Sequence, residues 1–293
     1  MDNALGLINI PALLAKSTGT DAIAVGVIDG PVSLNHEAFE TSKIRTARGS
    51  DFAACKTSDS AACMHGTFVT GILTGKRGPN APALCPGCEI ILRPIFSEES
   101  HGQEFELPSS TPDELAEAII DCIHTGANII NLSIGLSTTS VIRLPRLEEA
   151  YAYAAQKGVP IVVAAGNQGK MGFPIPGNPW VIPVVACNSE GKPDPSSDIS
   201  PTIAKNGLMA PGTNITSVSA GGGFKQLSGT SFAAPFVSGT MALLWSMFRN
   251  ATPQEIVLSI RAVTTNRYAK IFPPLCDAEK SRIILEALIN SRC

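Results

Sequence analysis

Short apolar segments alternate with helical segments along most of this 293-residue chain, and this alternation limits the possible folds more than any other feature. Residues 22–28 are valine-rich and end at Asp29, the pattern of a buried parallel strand with an acid at its carboxyl end. Further strands are predicted over 89–95, 128–133, 159–165 and 181–186, helices over 64–76, 111–125, 144–157, 231–249, 253–263 and 279–291, and a hairpin over 214–227. The order predicts an α/β fold in three layers, with a mostly parallel sheet covered by helices on both faces.

The composition predicts one large core. Hydrophobic residues make up 44% of the chain and charged residues only 16%, against about 25% charged in an average globular protein. No repeat or long linker divides the sequence, so a single domain over residues 1–293 is expected. The net charge is −3 and the basic residues are scattered, which argues against nucleic acid or an anionic membrane as a partner.

Two segments bear on location. Residues 1–20 lack the charged start, apolar block and cleavage site of a signal peptide. The apolar run 232–248 is short for a membrane span and contains a proline and several small polar residues, so it is interpreted as a buried helix. A cytoplasmic protein is expected, although a domain cut from a longer precursor would look the same.

Ser231 stands between the turn Gly229-Thr230 and that apolar helix, where unpaired N–H groups and the helix dipole favour negative charge. A lone serine there is most often an N-cap. Two other residues suggest more: Asp29 ends a strand, and His65 opens a helix beside a glycine. Their order of acid, base and nucleophile is one of the known arrangements of a serine triad. The remaining histidines share no metal-binding spacing and are interpreted as structural or solvated: His36, His101 and His124.

Six ordered blocks carry a family resemblance, and they are 24–30, His65-Gly66-Thr67, Asn131-Leu132-Ser133-Ile134-Gly135, Ala164-Ala165-Gly166-Asn167, Met209-Ala210-Pro211-Gly212 and 229–235. Through these blocks the chain resembles the subtilisin-like serine proteases over residues 4 to 248. The resemblance implies that Asp29, His65 and Ser231 form the triad and that Asn167 supplies the oxyanion-hole amide. It further implies substrate contacts at Gly102, Ser133, Ile134, Gly135, Ala164 and Gly166.

Departures from the family predict that no metal is bound. Ala38 stands where many subtilisins place a calcium-binding aspartate, and the loop 83–88 is shorter than the family's calcium loop. No cofactor is expected.

Eight cysteines leave alternatives open. One zinc site is disfavoured, because the helix between the pairs Cys55/Cys63 and Cys85/Cys88 would hold them nearly 20 Å apart, at about 1.5 Å rise per residue. Local disulfides within each pair fit the spacing better, whereas a reducing cytosol favours free thiols.

Within the family, the chain resembles the cyanobactin maturation proteases, which cut ribosomally made precursor peptides. Some relatives are macrocyclases with a helical insertion over the site. Only 35 residues separate Asp29 from His65, which leaves little room for such a lid, so hydrolysis is expected. A macrocyclase and a non-catalytic peptide-binding pseudoprotease remain the alternatives, and the terminal Cys293 suggests a further domain outside this chain.

Overall fold

The computed structural model describes residues 2–50, 53–78, 81–98, 110–133, 144–169, 177–262 and 271–292. The strands are β1 (Ala24–Asp29), β2 (Lys43–Thr46), β3 (Glu89–Pro94), β4 (Ile129–Leu132), β5 (Ile161–Ala164), β6 (Val181–Cys187), β7 (Leu208–Pro211), β8 (Ile215–Val218) and β9 (Phe224–Leu227). The α-helices are α1 (Asp2–Leu7), α2 (Pro11–Leu14), α3 (Ala61–Leu73), α4 (Pro112–Thr125), α5 (Pro145–Lys157), α6 (Pro201–Asn206), α7 (Thr230–Met247), α8 (Pro253–Arg261) and α9 (Ala278–Asn290), and a 3-10 helix spans Glu37–Phe39.

The first seven strands form one parallel sheet in the order β2-β3-β1-β4-β5-β6-β7. Successive side chains of β1 enter different cores, since Val25 and Val27 pack with the residues of α3 and α7, whereas Ala24 and Ile28 pack with those of α4 and α5. Helices therefore cover both faces, which confirms the predicted three-layer α/β fold. The predicted hairpin is the antiparallel pair β8 and β9.

Several elements escaped the sequence analysis. Strand β2 has no buried residue in Lys43–Thr46 and lies at the sheet edge, so it has no apolar run to find. Strand β7 is only four residues long and ends in a proline. Helices α1, α2 and α6 have six residues or fewer, too short to show a helical period.

Helix α7 runs through the core, and every residue from 230 to 245 is buried. Its N-cap is Gly229, with a φ of 152°, which has no side chain to cap the first turn. Ser231 is therefore not the N-cap, the alternative role for a lone serine at this place, because it is the second residue of the helix. Gly229 also donates its N–H to the carbonyl of Gly212 at 2.8 Å, which anchors the turn to the end of β7.

The C-terminal segment is tied to the sheet. Cys276 donates its N–H to the carbonyl of Met209 at 2.8 Å, and Ala278 donates to Ile8 at 2.8 Å.

No helix among the residues that the structure describes is long and apolar enough to cross a bilayer.

A side chain crosslinks the loop after α3. The guanidinium of half-buried Arg77 donates to the carbonyls of Leu14 at 3.0 Å, Ala83 at 3.2 Å and Leu84 at 2.9 Å. Desolvation lowers the pKa of Arg77 from its ordinary value. The described residues of this region do not fit a calcium site, because Ala38 has no side-chain oxygen and the Arg77 guanidinium already binds three of the carbonyls.

Candidate active site

The site begins at Asp29, the last residue of β1, which is completely buried. Its Oδ1 accepts a hydrogen bond from the N–H of Gly30 at 2.6 Å and lies 2.7 Å from Nδ1 of His65. A carboxylate can only accept, so the proton of the neutral imidazole is on Nδ1. The other ring nitrogen, Nε2, is then a proton acceptor.

Two glycines let β1 and α3 approach closely enough for this contact. A Cβ on Gly30 would overlap the carbonyl oxygen of Ala62, and a Cβ on Gly66 would overlap the carbonyl oxygen of Gly30. Both clashes are with backbone, which cannot move aside as a flexible side chain can. The glycine beside His65 is thus required for packing as well as for an open imidazole.

The N-terminal turn of α3 is fixed by polar contacts. Ser60 is its N-cap and accepts from the N–H of Cys63 at 3.0 Å. The carboxylate of Glu98 accepts from the backbone N–H groups of Lys56 at 2.6 Å and Thr57 at 2.9 Å, and from the Ser60 hydroxyl at 3.2 Å. Glu98 was missed by the sequence analysis because no local pattern links it to this turn.

Asn167 is oriented by the residue before Ser231. Its Oδ1 accepts from the N–H of Thr230 at 2.9 Å and from the Thr230 hydroxyl at 3.0 Å. With its oxygen occupied, the amide presents Nδ2 as a donor. The turn itself is held by Asp198, which accepts from the N–H of Gln168 at 2.9 Å. From the sequence, Thr230 was interpreted only as part of the turn before Ser231, and Asp198 was assigned no role.

Three of the predicted residues, His65, Asn167 and Ser231, line one cleft of about 330 Å³. No hydrogen bond joins the Ser231 hydroxyl to His65, although both residues are described; such contacts often tighten only when a substrate binds. The rest of the lining is Asp59, Ser60, Ala61, Met64, Lys225, Leu227, Ser228 and Phe232. The cleft thus exposes a hydroxyl, a proton acceptor and an amide donor to one bound molecule.

The expected substrate contacts lie in different places. The Ser133 hydroxyl donates to the backbone carbonyl of Ser231 at 2.8 Å. Ala164 ends β5, and Gly166, with a φ of 110°, begins the turn that carries Asn167. Gly102, Ile134 and Gly135 lie outside the described residues.

Two of the histidines that were interpreted as structural have their own partners. His36 accepts from the N–H of Ala38 through Nδ1 at 3.0 Å, and its Nε2 lies 3.2 Å from the carbonyl oxygen of Gly223. His124 lies 3.1 Å from the hydroxyl of Tyr153. His101 is outside the described residues.

The cysteine pairs behave differently from each other. Cys55 and Cys63 form a disulfide. Cys85 and Cys88 carry free thiols, so the bridge considered for that pair is not formed. The hydrogen bond between their side chains lowers the pKa of Cys88 to about 7 and, together with burial, raises the pKa of Cys85. Within the described ranges, the two pairs do not come together as a zinc site.

The chain is similar to several known proteins. Mycosin-3 of Mycobacterium tuberculosis is 28% identical, with 90% of this chain and 67% of that protein covered. A thermophilic serine proteinase of Bacillus sp. strain AK1 is 30% identical, and the chain spans about half of its length, 54%, with 79% of this chain aligned. Among solved structures, the protease domain of PatA, in a serine-to-alanine mutant, is 30% identical with a TM-score of 0.83, covering 92% of this chain and 97% of that one. The prenylagaramide maturation protease PagA is 28% identical with a TM-score of 0.80, covering 94% and 98%.

The strongest family evidence covers most of the chain. The sequence model of the subtilase family, peptidase S8, matches residues 20–279, a range that includes every residue of the site described above. The chain belongs to the subtilase family.

Proposed function

We propose that this protein is a serine endopeptidase in which Ser231 is the nucleophile, His65 the general base and Asp29 the residue that orients the base. The observation that carries the proposal is the 2.7 Å contact between Oδ1 of Asp29 and Nδ1 of His65, next to a cleft that His65 shares with Ser231. Membership of the subtilase family supports the same roles.

The chemistry follows from the proton positions. Nε2 of His65 takes the proton of the Ser231 hydroxyl as its oxygen attacks a peptide carbonyl, and later gives that proton to the leaving amine. The imidazolium formed in between is stabilised by Asp29, whose buried carboxylate acts in a low-dielectric environment. Water then attacks the acyl-enzyme with His65 again as the base.

The negative charge that develops on the substrate's carbonyl oxygen needs hydrogen-bond donors. Asn167 supplies Nδ2, because Thr230 holds its other amide atom, and the backbone N–H of Ser231 lies in the first turn of α7, where helical N–H groups lack partners. Together these two donors form the oxyanion hole in the proposal.

Precursor-peptide processing is the proposed biological role. It is supported by the likeness to PatA, described as a patellamide maturation protease, and to PagA, a prenylagaramide maturation protease. The whole chain is proposed to be one peptidase domain, in the cytoplasm, with its peptide substrate as its partner.

Hydrolysis is proposed in preference to ring closure. Between Asp29 and the start of α3, the one helix among the described residues is the short 3-10 helix Glu37–Phe39, so no helical lid is found in that described part of the chain. A site open to water favours transfer of the acyl group to water.

The test is labelling with an alkyl fluorophosphonate, which reacts with activated serines. The wild type is expected to be labelled at Ser231, and Ser231→Ala to be unlabelled; an unlabelled wild type would indicate a pseudoprotease. Mass spectrometry of products from a peptide library then separates the reactions, since cleavage adds water to the peptide and a cyclic main product would contradict hydrolysis.

A further inference from the structure

Helix α7 has a break in its hydrogen bonding directly behind the proposed nucleophile. Residue 235 is a proline inside the helix. Proline has no N–H, so it cannot make the bond that residue 235 would normally donate to the carbonyl of Ser231, four residues earlier. Ser231 is only 6% exposed, so leaving its carbonyl without a hydrogen-bond donor would cost free energy.

The missing donor is replaced from the sheet. Ser133, which follows β4 and is completely buried, donates its hydroxyl proton to the carbonyl of Ser231 at 2.8 Å. The Ser133 oxygen in turn accepts from Nδ2 of Asn131 at 2.8 Å. Because a hydroxyl has a single proton, the Ser133 hydroxyl cannot at the same time donate to a substrate.

The chain of hydrogen bonds returns to α7. Ser238 donates its hydroxyl to Oδ1 of Asn131 at 2.9 Å. Ser231 and Ser238 are seven residues apart, close to two turns, so they lie on the same face of the helix. Asn131, Ser133 and Ser238 are all completely buried, so the connection between sheet and helix is shielded from water.

We propose that Ser133 is a positioning residue for Ser231: its hydroxyl takes the place of the helix hydrogen bond that Pro235 cannot make. This inference rests on the proposed role of Ser231. The same peptide segment carries the Ser231 hydroxyl and N–H, so fixing its carbonyl fixes the attacking atom and one oxyanion donor together. The role differs from the direct substrate contact that the family resemblance implies for the Ser133 side chain.

The test measures the kinetics of fluorophosphonate labelling in the full chain, with the maximal rate constant of labelling and the half-saturating concentration determined separately. Ser133→Ala is expected to lower the maximal rate constant by about 10- to 100-fold, because a buried carbonyl loses its partner and the nucleophile is misplaced. The half-saturating concentration is expected to change less than about threefold, because binding of the reagent does not use this hydroxyl.

A second substitution makes the test specific. Pro235→Ala restores an N–H that can donate to the Ser231 carbonyl. In that background, Ser133→Ala is expected to reduce the rate constant by less than about threefold, a coupling expected only of residues that share a partner. The positioning role is wrong if Ser133→Ala lowers the rate constant by the same factor with and without Pro235→Ala. It is also wrong if Ser133→Ala changes only the half-saturating concentration.

Two further variants keep the result interpretable. Ser238→Ala removes the far end of the network and is expected to slow labelling by about 3- to 10-fold, which provides a test if Ser133→Ala does not fold. Thr240→Val is the matched control. Thr240 is a buried residue of the same helix, and its hydroxyl donates to the Phe236 carbonyl at 2.7 Å, away from Ser231. It is expected to keep the wild-type rate constant within about twofold, and an equal loss in Thr240→Val would reject the proposal.

The two proposals fail in different ways. A wild type that is not labelled counts against the serine protease itself. A wild type that is labelled, with Ser133→Ala labelled equally fast and with a normal melting temperature, rejects only the positioning role.

Discussion

The ring of Phe232 packs on the imidazole of His65, with the ring centroids 5.3 Å apart and the planes inclined by 42°. Phe232 follows the proposed nucleophile directly and also contacts Phe68, at 4.6 Å between centroids. The apolar core of α3 and α7 therefore extends to the proposed catalytic base.

Phe232→Ala is expected to slow fluorophosphonate labelling by at least about 10-fold, because the imidazole loses the surface that limits its orientation. It should also lower the free energy of unfolding by about 3–5 kcal/mol, the usual range for a large-to-small aromatic substitution in a core. Phe232→Leu is the control, since it keeps most of the apolar volume. It should lose less of the labelling rate and less of the free energy of unfolding. Equal labelling rates for wild type and Phe232→Ala would contradict this role.

Gly66→Ala is expected to abolish labelling, because its Cβ would collide with the carbonyls of Gly30 and Pro31 and push α3 away from β1. Gly221→Ala is the control: its Cβ meets no atom within 4 Å. Circular dichroism and labelling, measured on both variants, check the result. A Gly66→Ala protein with normal activity would show that the contact between Asp29 and His65 does not depend on this close approach.

The sequence predicts the sheet well and locates the residues of the proposed triad, for two physical reasons. Strands such as β1 and β5 are buried on both faces and therefore appear as continuous apolar runs, and the proposed catalytic residues lie in short local motifs. Contacts between distant segments have no such signature. The link from Ser133 to Ser231 spans 98 positions, and that from Asn131 to Ser238 spans 107. A local pattern can also mislead: a lone serine at this place is most often an N-cap, but the N-cap of α7 is Gly229.

The disulfide between Cys55 and Cys63 ends two residues before His65 and closes a short loop. The double variant Cys55→Ala/Cys63→Ala is expected to lose about 2–3 kcal/mol of unfolding free energy, from the chain-entropy cost of opening a loop of this length. Denaturant titrations measure the loss. Alkylation of the denatured, unreduced wild type followed by peptide mapping should modify Cys85 and Cys88 and leave Cys55 and Cys63 unmodified; the reverse pattern would contradict the pairing.

The buried thiol of Cys88 makes stability depend on pH. Its pKa in the folded protein is about 7, below the ordinary value of 9.0, chiefly because the Cys85 thiol donates to it. An acid whose pKa is depressed by folding stabilises the protein above the unfolded pKa, and this contribution is lost as the pH falls through the folded pKa. Wild type is therefore expected to gain stability relative to Cys88→Ala between pH 7 and 9, by on the order of 2 kcal/mol. Urea titrations at four pH values in oxygen-free buffer check this, and a difference that stays constant with pH would contradict it.

Arg77→Ala is expected to lower the free energy of unfolding by about 1–3 kcal/mol, since three backbone carbonyls lose their donor. Arg77→Lys should recover only part of this, because an ammonium cannot reproduce the planar fork of a guanidinium. In contrast, a calcium chelator should leave the melting temperature of the wild type unchanged. A marked fall in the melting temperature with chelator would show that a metal holds this region.

The crosslink made by Arg77 affects how the protein responds to its surroundings. A loop held by a bound ion becomes more stable with the logarithm of the free ion concentration, so its resistance to proteolysis varies with the medium. The guanidinium of Arg77 is part of the chain, so its concentration at the loop does not depend on the medium. The loop after α3 would then be equally firm in calcium-poor and calcium-rich fluids, and so would the helix that carries His65.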